Sequence, residues 1–400
     1  MQALPTREQV IETLFRHWNA ESRVETVPTD RAIGRIPSKD IYAQVSIPVV
    51  RASAMDGVAV CSARFRDGVP DTSQWKLGDD FCRADTGDDF DDRFDAIIPI
   101  EQVSISPDKI LTIQPGVVVT PGMNIRPQGS TIQKGQLLAP KDRELRPFDL
   151  ACLAMGGVTR AEVYQKPRVA FLPTGNELVP LGAPVERGNT IDSNSVLVKH
   201  LLMEMGAEPV CLPIVPDDRA AVSAALDDAL RQAGVVVLNG GSSKGEEDFN
   251  ARLLEEKGAA LFHWVAAAPG KPMCVALIGN KPVINIPGPP PAVLYGMDWC
   301  IRAIVNRLLH RPMQKRRTIS GVLTEEIRDP RDMEILCMMD VQRTETGYAV
   351  KQKPWRGGNI ADALSAGAIY ITKLGLDGHD AGEVLEVELL RGEEDFYTGP

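Results

Sequence analysis

The sequence of 400 residues lacks the features of several protein classes. It has no apolar run of about 18 residues, the length a membrane-spanning helix needs, and no basic segment followed by an apolar one at its N-terminus, as in a secretory signal. Its Lys and Arg residues form no patch, and its formal net charge is −10. We therefore expect neither a membrane nor a nucleic acid as a partner. A small anion is not excluded, because backbone N–H groups and helix N-termini bind anions locally.

Cysteine is scarce, and its spacing indicates neither a metal site nor a disulfide framework. The seven cysteines lie far apart, form no CxxC pair and show no zinc-like spacing with histidine. Neither the H-E-x-x-H motif nor a Walker phosphate loop occurs. We predict that the cysteines are small buried side chains in a reducing compartment, which indicates the cytoplasm.

The length and the apolar pattern predict several domains of mixed α and β structure. With 44% hydrophobic residues, the chain exceeds what a single core accommodates. Apolar spacing predicts amphipathic helices over residues 7–20 and Pro147–Met155. A first β-rich segment extends from about Ile47 to Pro140 and contains the predicted strands Asp95–Ile100, Ile110–Gln114 and Gly116–Thr120. A second β-rich segment extends from Thr318 to about Leu390. The basic run Lys315–Arg317, which precedes the second segment, is interpreted as a solvated linker.

From Arg168 onward, apolar strands alternate with helices, which predicts a parallel sheet and an α/β fold for this part of the chain. The predicted helices are about Asn194–Met205, Asp218–Gln232 and Ala292–Leu309. The predicted strands are Val169–Leu172, Pro209–Val215, Val235–Leu238, Met273–Leu277 and Val283–Ile286.

Ligands of an open parallel sheet bind at the carboxyl ends of its strands, so the residues that follow each strand are candidates. After the first strand, Thr174 and Gly175 could offer backbone donors and Glu177 a carboxylate. After the strand Val235–Leu238 comes a Gly-rich loop, Asn239–Asp248. Its glycines allow close backbone approach, its hydroxyls and lysine suit a phosphate, and its acidic residues suit Mg²⁺. A plain Gly-rich turn before a helix explains the same pattern about as well.

Other candidates have no diagnostic spacing when taken singly. Lys271, in a Pro-Gly-Lys-Pro turn, is a candidate substrate cation, although an exposed turn lysine is the more ordinary interpretation. The turn at Pro287-Gly288 lies in the same part of the chain. In the first β-rich segment the polar candidates are Asp56, Thr86 and Glu101.

Taken together, the order of these motifs resembles the molybdopterin molybdenumtransferase family, which includes the C-terminal domain of gephyrin. The resemblance covers nearly all of the chain. Its most specific pieces are Ser53–Gly57 (SAMDG), Thr86-Gly87 followed by Glu101, Thr174–Leu178 (TGNEL), Asp192-Ser193-Asn194, the Gly240–Asp248 loop and Pro269–Pro272 (PGKP).

The resemblance implies a multidomain α/β fold and a homodimer whose site is built across subunits. The implied parts are an elongated segment (residues 1–46 and 140–166), an inserted β domain (47–139), an α/β molybdopterin-binding domain with a parallel sheet (167–314) and a C-terminal β barrel (315–400).

The resemblance also implies a reaction in which adenylylated molybdopterin and molybdate are the substrates, Mg²⁺ is the cofactor and AMP is released. It assigns catalysis to Asp56, Glu177, Asp248 and Lys271, with Glu177 and Asp248 as the ligands of the cation. The implied substrate-binding residues are Thr86, Glu101, Thr174, Gly175, Asp192, Asp218 (or Asp217), Gly240, Gly241, Ser242, Ser243, Lys244, Pro287 and Gly288.

Several positions depart from the family pattern. Ser130-Thr131 replaces an acidic pair, Ala268 replaces a lysine, and Pro289 removes an amide side chain and a backbone donor. Lys244 is unusual in its loop, and we hypothesise that it compensates for the missing cation at Ala268. Two alternatives follow from these departures. In the first, the protein is a divergent paralogue that handles tungstate. In the second, it is a carrier of the pterin or a scaffold, and it has no insertion activity.

Overall fold

The structure is a computed structural model that describes residues 3–240, 249–328, 332–354, 361, 364–392, 394 and 396. The chain divides into two compact units, which are treated separately below. The large unit contains residues 1–23 and 165–400, and the inserted unit contains residues 24–164. The four-part division implied by the resemblance stays a prediction.

The large unit is built on a six-stranded sheet in which four neighbouring strands are parallel. The alternation of strands and helices that begins at Arg168 is therefore confirmed. An antiparallel hairpin around Gly279-Asn280 extends the sheet at one edge. The sheet order is Glu208–Cys211, Arg168–Pro173, Val235–Asn239, Lys281–Ile286, Cys274–Ile278 and Ala259–His263.

Helices cover this sheet because its central strands are almost wholly apolar and buried on both faces. The N-terminal helix Arg7–His17 is present within the range predicted for it and begins with a capping box at Thr6. The predicted helix Ala292–Leu309 is interrupted by one π-helical segment, Met297–Ile301. The helices of this unit are Arg7–His17, Asn194–Glu204, Arg219–Gln232, Phe249–Lys257, Pro290–Gly296 and Arg302–Leu308.

The C-terminal part of the large unit contains a closed five-stranded β-barrel, as the resemblance implied. The barrel closes because the long strand Glu334–Thr344 pairs with two different neighbours. Alternate residues of its strands, such as Ile319, Gly321 and Leu323, face inward and are buried. In order around the barrel, the strands are Glu334–Thr344, Gly347–Gln352, Thr318–Leu323, Val384–Leu389 and Ala368–Ile371. Short pairs beside it are Ala267–Ala268 with Glu334–Ile335 and Ile327–Arg328 with Gly378–His379.

In the basic run before the barrel, Lys315 and Arg317 are exposed but Arg316 is not, so the prediction of a solvated linker is wrong for Arg316. The Arg316 guanidinium is three-quarters buried and forms ion pairs with Asp298 and, at 3.2 Å, Glu388. Burial alone would lower the pKa of Arg316, but the hydrogen bonds and negative charges of Asp298 and Glu388 together outweigh burial and raise that pKa. Arg316 therefore joins a helix of the α/β part to a strand of the barrel.

The inserted unit consists of short strands and one helix, Pro147–Met155, as predicted. Its largest sheet has three strands, with Gly57–Val60 in the centre and fully buried. The predicted strands at Asp95–Ile100 and Ile110–Gln114 are present but shorter. The strands are Val24–Pro28 with Arg160–Tyr164, Ile41–Tyr42 with Leu137–Ala139, Ala52–Ser53 with Ile125–Arg126, Gly57–Val60 with Phe81–Ala84 and Ala96–Pro99, and Val103–Ile105 with Leu111–Ile113. The 3₁₀ turns are Thr29–Arg31, Ser62–Phe65 and Ile100–Gln102.

Three expectations need correction. No strand forms at Gly116–Thr120, because Val117 and Val119 pack into the core of the unit without a neighbouring ladder. The strand predicted over Pro209–Val215 ends at Cys211. Of the seven cysteines only Cys274, Cys300 and Cys337 are buried, so the prediction that all are core residues is wrong.

Among the described residues, none of the helices combines the length and apolarity needed to cross a membrane.

Candidate functional site

The candidate residues of the large unit meet at the carboxyl edge of the parallel sheet. Thr174, Gly240 and Pro287 each follow a central strand, and these three strands are direct neighbours. Parallel strands end at a common edge, so their loops converge there. The structure thus brings together three of the segments that the sequence singled out.

Gly240 is held where no other residue fits without a shift. Its φ is +126°, and a Cβ atom built on it would lie 2.4 Å from the Thr174 carbonyl oxygen and 2.5 Å from Thr174 Oγ1. Its N–H donates to the Ile286 carbonyl at 3.2 Å. The start of the Gly-rich loop is therefore packed directly against the loop of the neighbouring strand.

Thr174 and Gly175 do not offer their N–H groups to a ligand, so that prediction is wrong. The Thr174 N–H donates to the Asn239 carbonyl at 2.8 Å, and the Gly175 N–H donates to the Val215 carbonyl at 3.0 Å. These bonds continue the sheet ladder by one residue beyond the strands. In the same turn, the N–H groups of Asn176 and Glu177 donate to no described residue and are the available donors.

Buried asparagines connect the loops at this edge. Asn239 Nδ2 donates to the carbonyls of Ile286 at 3.0 Å and Pro287 at 3.1 Å. Asn194 Nδ2 donates to Asn239 Oδ1 at 2.9 Å and to the Gly288 carbonyl at 2.7 Å. Asn194 is the first residue of its helix and is 9% exposed, and its Oδ1 has no donor within the described part of the chain. The arrangement therefore leaves Asn194 Oδ1 as a buried acceptor without a donor among the described residues.

A second asparagine pair lies beneath the start of the Gly-rich loop. Asn250 Nδ2 donates to the Gly240 carbonyl at 3.1 Å and approaches Asn285 Oδ1 at 3.4 Å, and both side chains are fully buried. Neither residue was among the candidates from the sequence. A polar residue within an apolar strand, as in Val283–Ile286, was the available signal.

Two acidic candidates act as helix caps. The Asp192 carboxylate, which is 6% exposed, accepts hydrogen bonds from the N–H, at 2.9 Å, and the hydroxyl of Ser195. Asp218 caps the helix Arg219–Gln232 by accepting from the Ala221 N–H at 2.8 Å. Both carboxylates therefore have a structural use, and a role in substrate binding stays a prediction for each.

Glu177 is an exposed carboxylate at the same edge. It lies over Gly175, since a Cβ atom on Gly175 would lie 2.8 Å from Glu177 Oε2. Its carboxylate accepts no hydrogen bond from the described residues. The neighbouring Asn176 Oδ1 accepts from the Asp217 N–H at 3.1 Å, which ties this turn to the segment before the next helix.

The remainder of the Gly-rich loop lies outside the described residues. This applies to Gly241, Ser242, Ser243, Lys244 and Asp248, and the proximity of Asp248 to Glu177 stays a prediction.

Lys271 lies in the turn before the strand Cys274–Ile278, whose first residue pairs with Asn285 at the same edge of the sheet. Its Nζ lies 5.8 Å from the centre of the Trp264 ring, and its carbonyl accepts from the Val265 N–H at 2.9 Å. Trp264 is 43% exposed, so the pair lies at the surface. The turn follows a cis peptide bond between Ala268 and Pro269.

The inserted unit brings its own three candidates together. Asp56 Oδ1 accepts hydrogen bonds from the Thr86 N–H at 2.7 Å and the Thr86 hydroxyl at 2.8 Å. These bonds, the backbone bond first, hold the pKa of Asp56 below its ordinary value. The Asp56 carbonyl accepts from the Ile100 N–H at 2.9 Å, which places Glu101 one residue further along a 3₁₀ turn. Asp56 is therefore an exposed, oriented anion.

The donor set at the sheet edge suits Mg²⁺ bound together with a substrate. Within the described ranges, no three His, Cys, Asp or Glu side chains lie close enough to hold a metal ion by themselves. Mg²⁺ typically takes only one or two carboxylates and completes its shell with water and substrate phosphate. The open Glu177 carboxylate fits that requirement.

Two models of known protein families match separate segments of the chain. Residues 5–157 match the family model "MoeA N-terminal region (domain I and II)", and residues 170–307 match "Probable molybdopterin binding domain". The strand-end loops described above fall within the second match.

Relatives and solved structures agree with these matches. The chain is 29% identical to the molybdopterin molybdenumtransferase of Haemophilus influenzae over 78% of this chain and 79% of that protein. It is 26% identical to the protein of the same name from Bacillus subtilis, over 94% and 92%. A crystal structure of a molybdopterin biosynthesis protein from Pyrococcus horikoshii superposes with a TM-score of 0.81 at 26% identity, covering 97% of this chain and all of that one.

Proposed function

Because the chain belongs to the molybdopterin molybdenumtransferase family, we propose that it inserts molybdate into adenylylated molybdopterin with Mg²⁺-dependent release of AMP. The observation that carries the proposal is the convergence of three strand-end loops at one sheet edge, within the segment that matches a molybdopterin-binding domain. Ligands of open parallel sheets bind at this edge.

The chemistry of the edge suits a phosphate-containing ligand beside a cation. The free N–H groups of Asn176 and Glu177 supply donors for phosphate oxygens, and the buried Asn194 Oδ1 supplies an acceptor for a ligand N–H group. The close contact between Gly240 and Thr174 fixes the spacing of the two loops. Binding would thus be determined by backbone geometry as well as by side chains.

In the proposed reaction, the pyrophosphate link between pterin and adenosine is cleaved by water, which releases AMP and leaves the pterin phosphate. Glu177 and Asp248 would hold the Mg²⁺ ion, which neutralises phosphate charge when bound. The Asn176 and Glu177 N–H groups would orient the phosphate oxygens, and Lys271 would balance the charge of the anion. By the family's motifs Asp56 would supply a further catalytic carboxylate, and the two hydrogen bonds from Thr86 fix the direction of that carboxylate.

AMP release from adenylylated molybdopterin, measured with purified protein in the presence and absence of Mg²⁺ and molybdate, tests the proposal. We expect release only when both are present. Glu177→Gln should reduce the rate at least about tenfold, because the charge that attracts the cation is lost. The matched control is Glu186→Gln, an exposed glutamate whose N–H bonds to Asn189.

Other outcomes identify the alternatives. Release with tungstate but not with molybdate would indicate a tungsten-handling paralogue. Binding of the pterin nucleotide with no release under any condition would indicate a carrier and would overturn the proposed reaction.

A further inference from the structure

The opposite edge of the same parallel sheet carries a cavity that the proposed reaction does not use. Its volume is about 390 Å³, and the amino ends of the three central strands contribute to its walls through Arg168, Gly234 and Lys281. This volume lies in the range of small-molecule sites and is larger than a single water or bare ion requires. All of the lining residues belong to the large unit.

The walls of the cavity are built by specific polar contacts. The Asn19 N–H donates to Asn280 Oδ1 at 3.0 Å, and Asn280 Nδ2 donates back to the Asn19 carbonyl at 2.8 Å. This reciprocal pair joins the segment after the first helix to the sheet hairpin. On another side, the Gln165 N–H donates to the Arg23 carbonyl at 2.8 Å. The segments that line the cavity are therefore held to one another.

The lining is strongly cationic in a protein whose net charge is −10. It contains one carboxylate, Glu21, and five cations: Arg23, Lys166, Arg168, Arg231 and Lys281.

Three of the five cations have an internal use. Arg168 pairs with Glu208 at 3.1 Å, and Arg231 pairs with Asp228 at 3.0 Å. Lys281 Nζ binds the carbonyls of Leu230 and Ala233, where it offsets the negative end of the helix Arg219–Gln232. These contacts explain their presence without a ligand.

Arg23 and Lys166 have no such explanation. Both are exposed, and neither side chain has a hydrogen bond or ion pair within the described part of the chain. After Glu21, Glu208 and Asp228 are counted against the five cations, two positive charges remain at the cavity. An anion of at least two negative charges would neutralise them, and arginine binds phosphate through two parallel hydrogen bonds.

We propose that this cavity binds a small phosphorylated metabolite through Arg23 and Lys166. The shared chemistry is a phosphate dianion or pyrophosphate group, and the cavity leaves room for an organic part. The site lies at the amino ends of the strands, whereas the proposed catalytic site lies at their carboxyl ends, so the two are separate.

Isothermal titration calorimetry with two probes, inorganic pyrophosphate and glucose 6-phosphate, tests the proposal. For at least one probe we expect a dissociation constant on the order of 1 mM or tighter at low salt, which weakens as NaCl is added. Arg23→Gln combined with Lys166→Gln should weaken this binding event at least about tenfold, because two charge-assisted contacts are lost. Arg23→Lys combined with Lys166→Arg should retain most of it. Preference for one probe distinguishes an inorganic from an organic phosphate.

The matched control removes the same two charges elsewhere. Arg66→Gln combined with Lys134→Gln changes exposed residues of the inserted unit and should leave binding unchanged. The melting temperature without ligand should be nearly the same in all variants, since the side chains of Arg23 and Lys166 form no hydrogen bond or ion pair with the residues that the structure describes. Absence of binding of either probe at 10 mM, or equal binding by wild type and the Arg23/Lys166 glutamine variant, would overturn the proposal.

Discussion

Replacing Gly240 by alanine should damage both stability and activity, because this glycine fixes the distance between two site loops. The added Cβ atom would lie 2.4 Å from a backbone oxygen of Thr174, which cannot move as a flexible side-chain end can. The residue would also keep a φ of +126°, which costs a non-glycine residue about 1–3 kcal/mol. Overpacking adds roughly 1–3 kcal/mol. The expected total is about 2–6 kcal/mol.

The chain offers a matched control at the other end of the same strand. Gly234 precedes Val235–Asn239, lacks a positive φ, and has no atom within 4 Å of a built Cβ. In calorimetry, Gly240→Ala should lower the melting temperature by about 5–20 °C, whereas Gly234→Ala should change it by only a few degrees. AMP release at a temperature where both variants are folded should fall at least about tenfold for Gly240→Ala alone.

The reasoning would be refuted if the two glycine variants had equal melting temperatures and equal rates of AMP release. A lower melting temperature with an unchanged rate would show that the close contact stabilises the fold without positioning the reacting groups.

Two further predictions concern single polar contacts. Thr86→Val removes the hydroxyl that donates to Asp56, so the Asp56 pKa should rise part of the way toward its ordinary value of 3.8 in a carboxyl NMR titration. The pKa of Asp56 is lower in the folded protein than its ordinary value, so this hydrogen bonding stabilises the folded state at pH values above the ordinary carboxyl pKa. The stabilisation is lost as the pH falls through the pKa that Asp56 has in the folded protein. An unchanged Asp56 pKa would contradict the hydrogen bond. Arg316→Gln removes a positive charge that pairs with the part-buried Asp298 carboxylate, so it should lower the free energy of unfolding by about 1–3 kcal/mol. Lys315→Gln changes the exposed neighbouring residue and should change that free energy by less than about 0.5 kcal/mol. Equal melting temperatures for these two variants would show that Arg316 is a solvated linker residue after all.

The predicted α/β core agrees with the structure because its signal is local and repeated. Each central strand is an uninterrupted apolar run, and each following helix carries apolar residues at helical spacing. A strand prediction is wrong where a segment has the composition of a strand but no neighbouring segment pairs with it. Gly116–Thr120 has the composition of a strand, but no segment of the inserted unit pairs with it. Pairing partners are a tertiary property that a single apolar run does not contain.

The same limit explains the error at Arg316. A run of three basic residues is usually solvated, and nothing nearby in the sequence contradicts that interpretation. The carboxylates that bind Arg316 lie 18 and 72 residues away, on a helix and on a barrel strand. The pairing becomes visible only when those two elements pack together.

At the site, the sequence located the loops but assigned two of their backbone N–H groups to the wrong use. The backbone donors of Thr174 and Gly175 serve the sheet, while the loops are connected by Asn194 and Asn239, 45 residues apart. A buried amide that bonds to several backbone carbonyls is costly to replace, because each removed contact leaves another buried polar group unsatisfied. An apolar side chain at Asn239 would fill the space but would leave the Asn194 amide and two carbonyls with fewer partners. The polar network therefore fixes where each loop begins, and the acceptor that it leaves open at Asn194 is a group on which a ligand could be recognised.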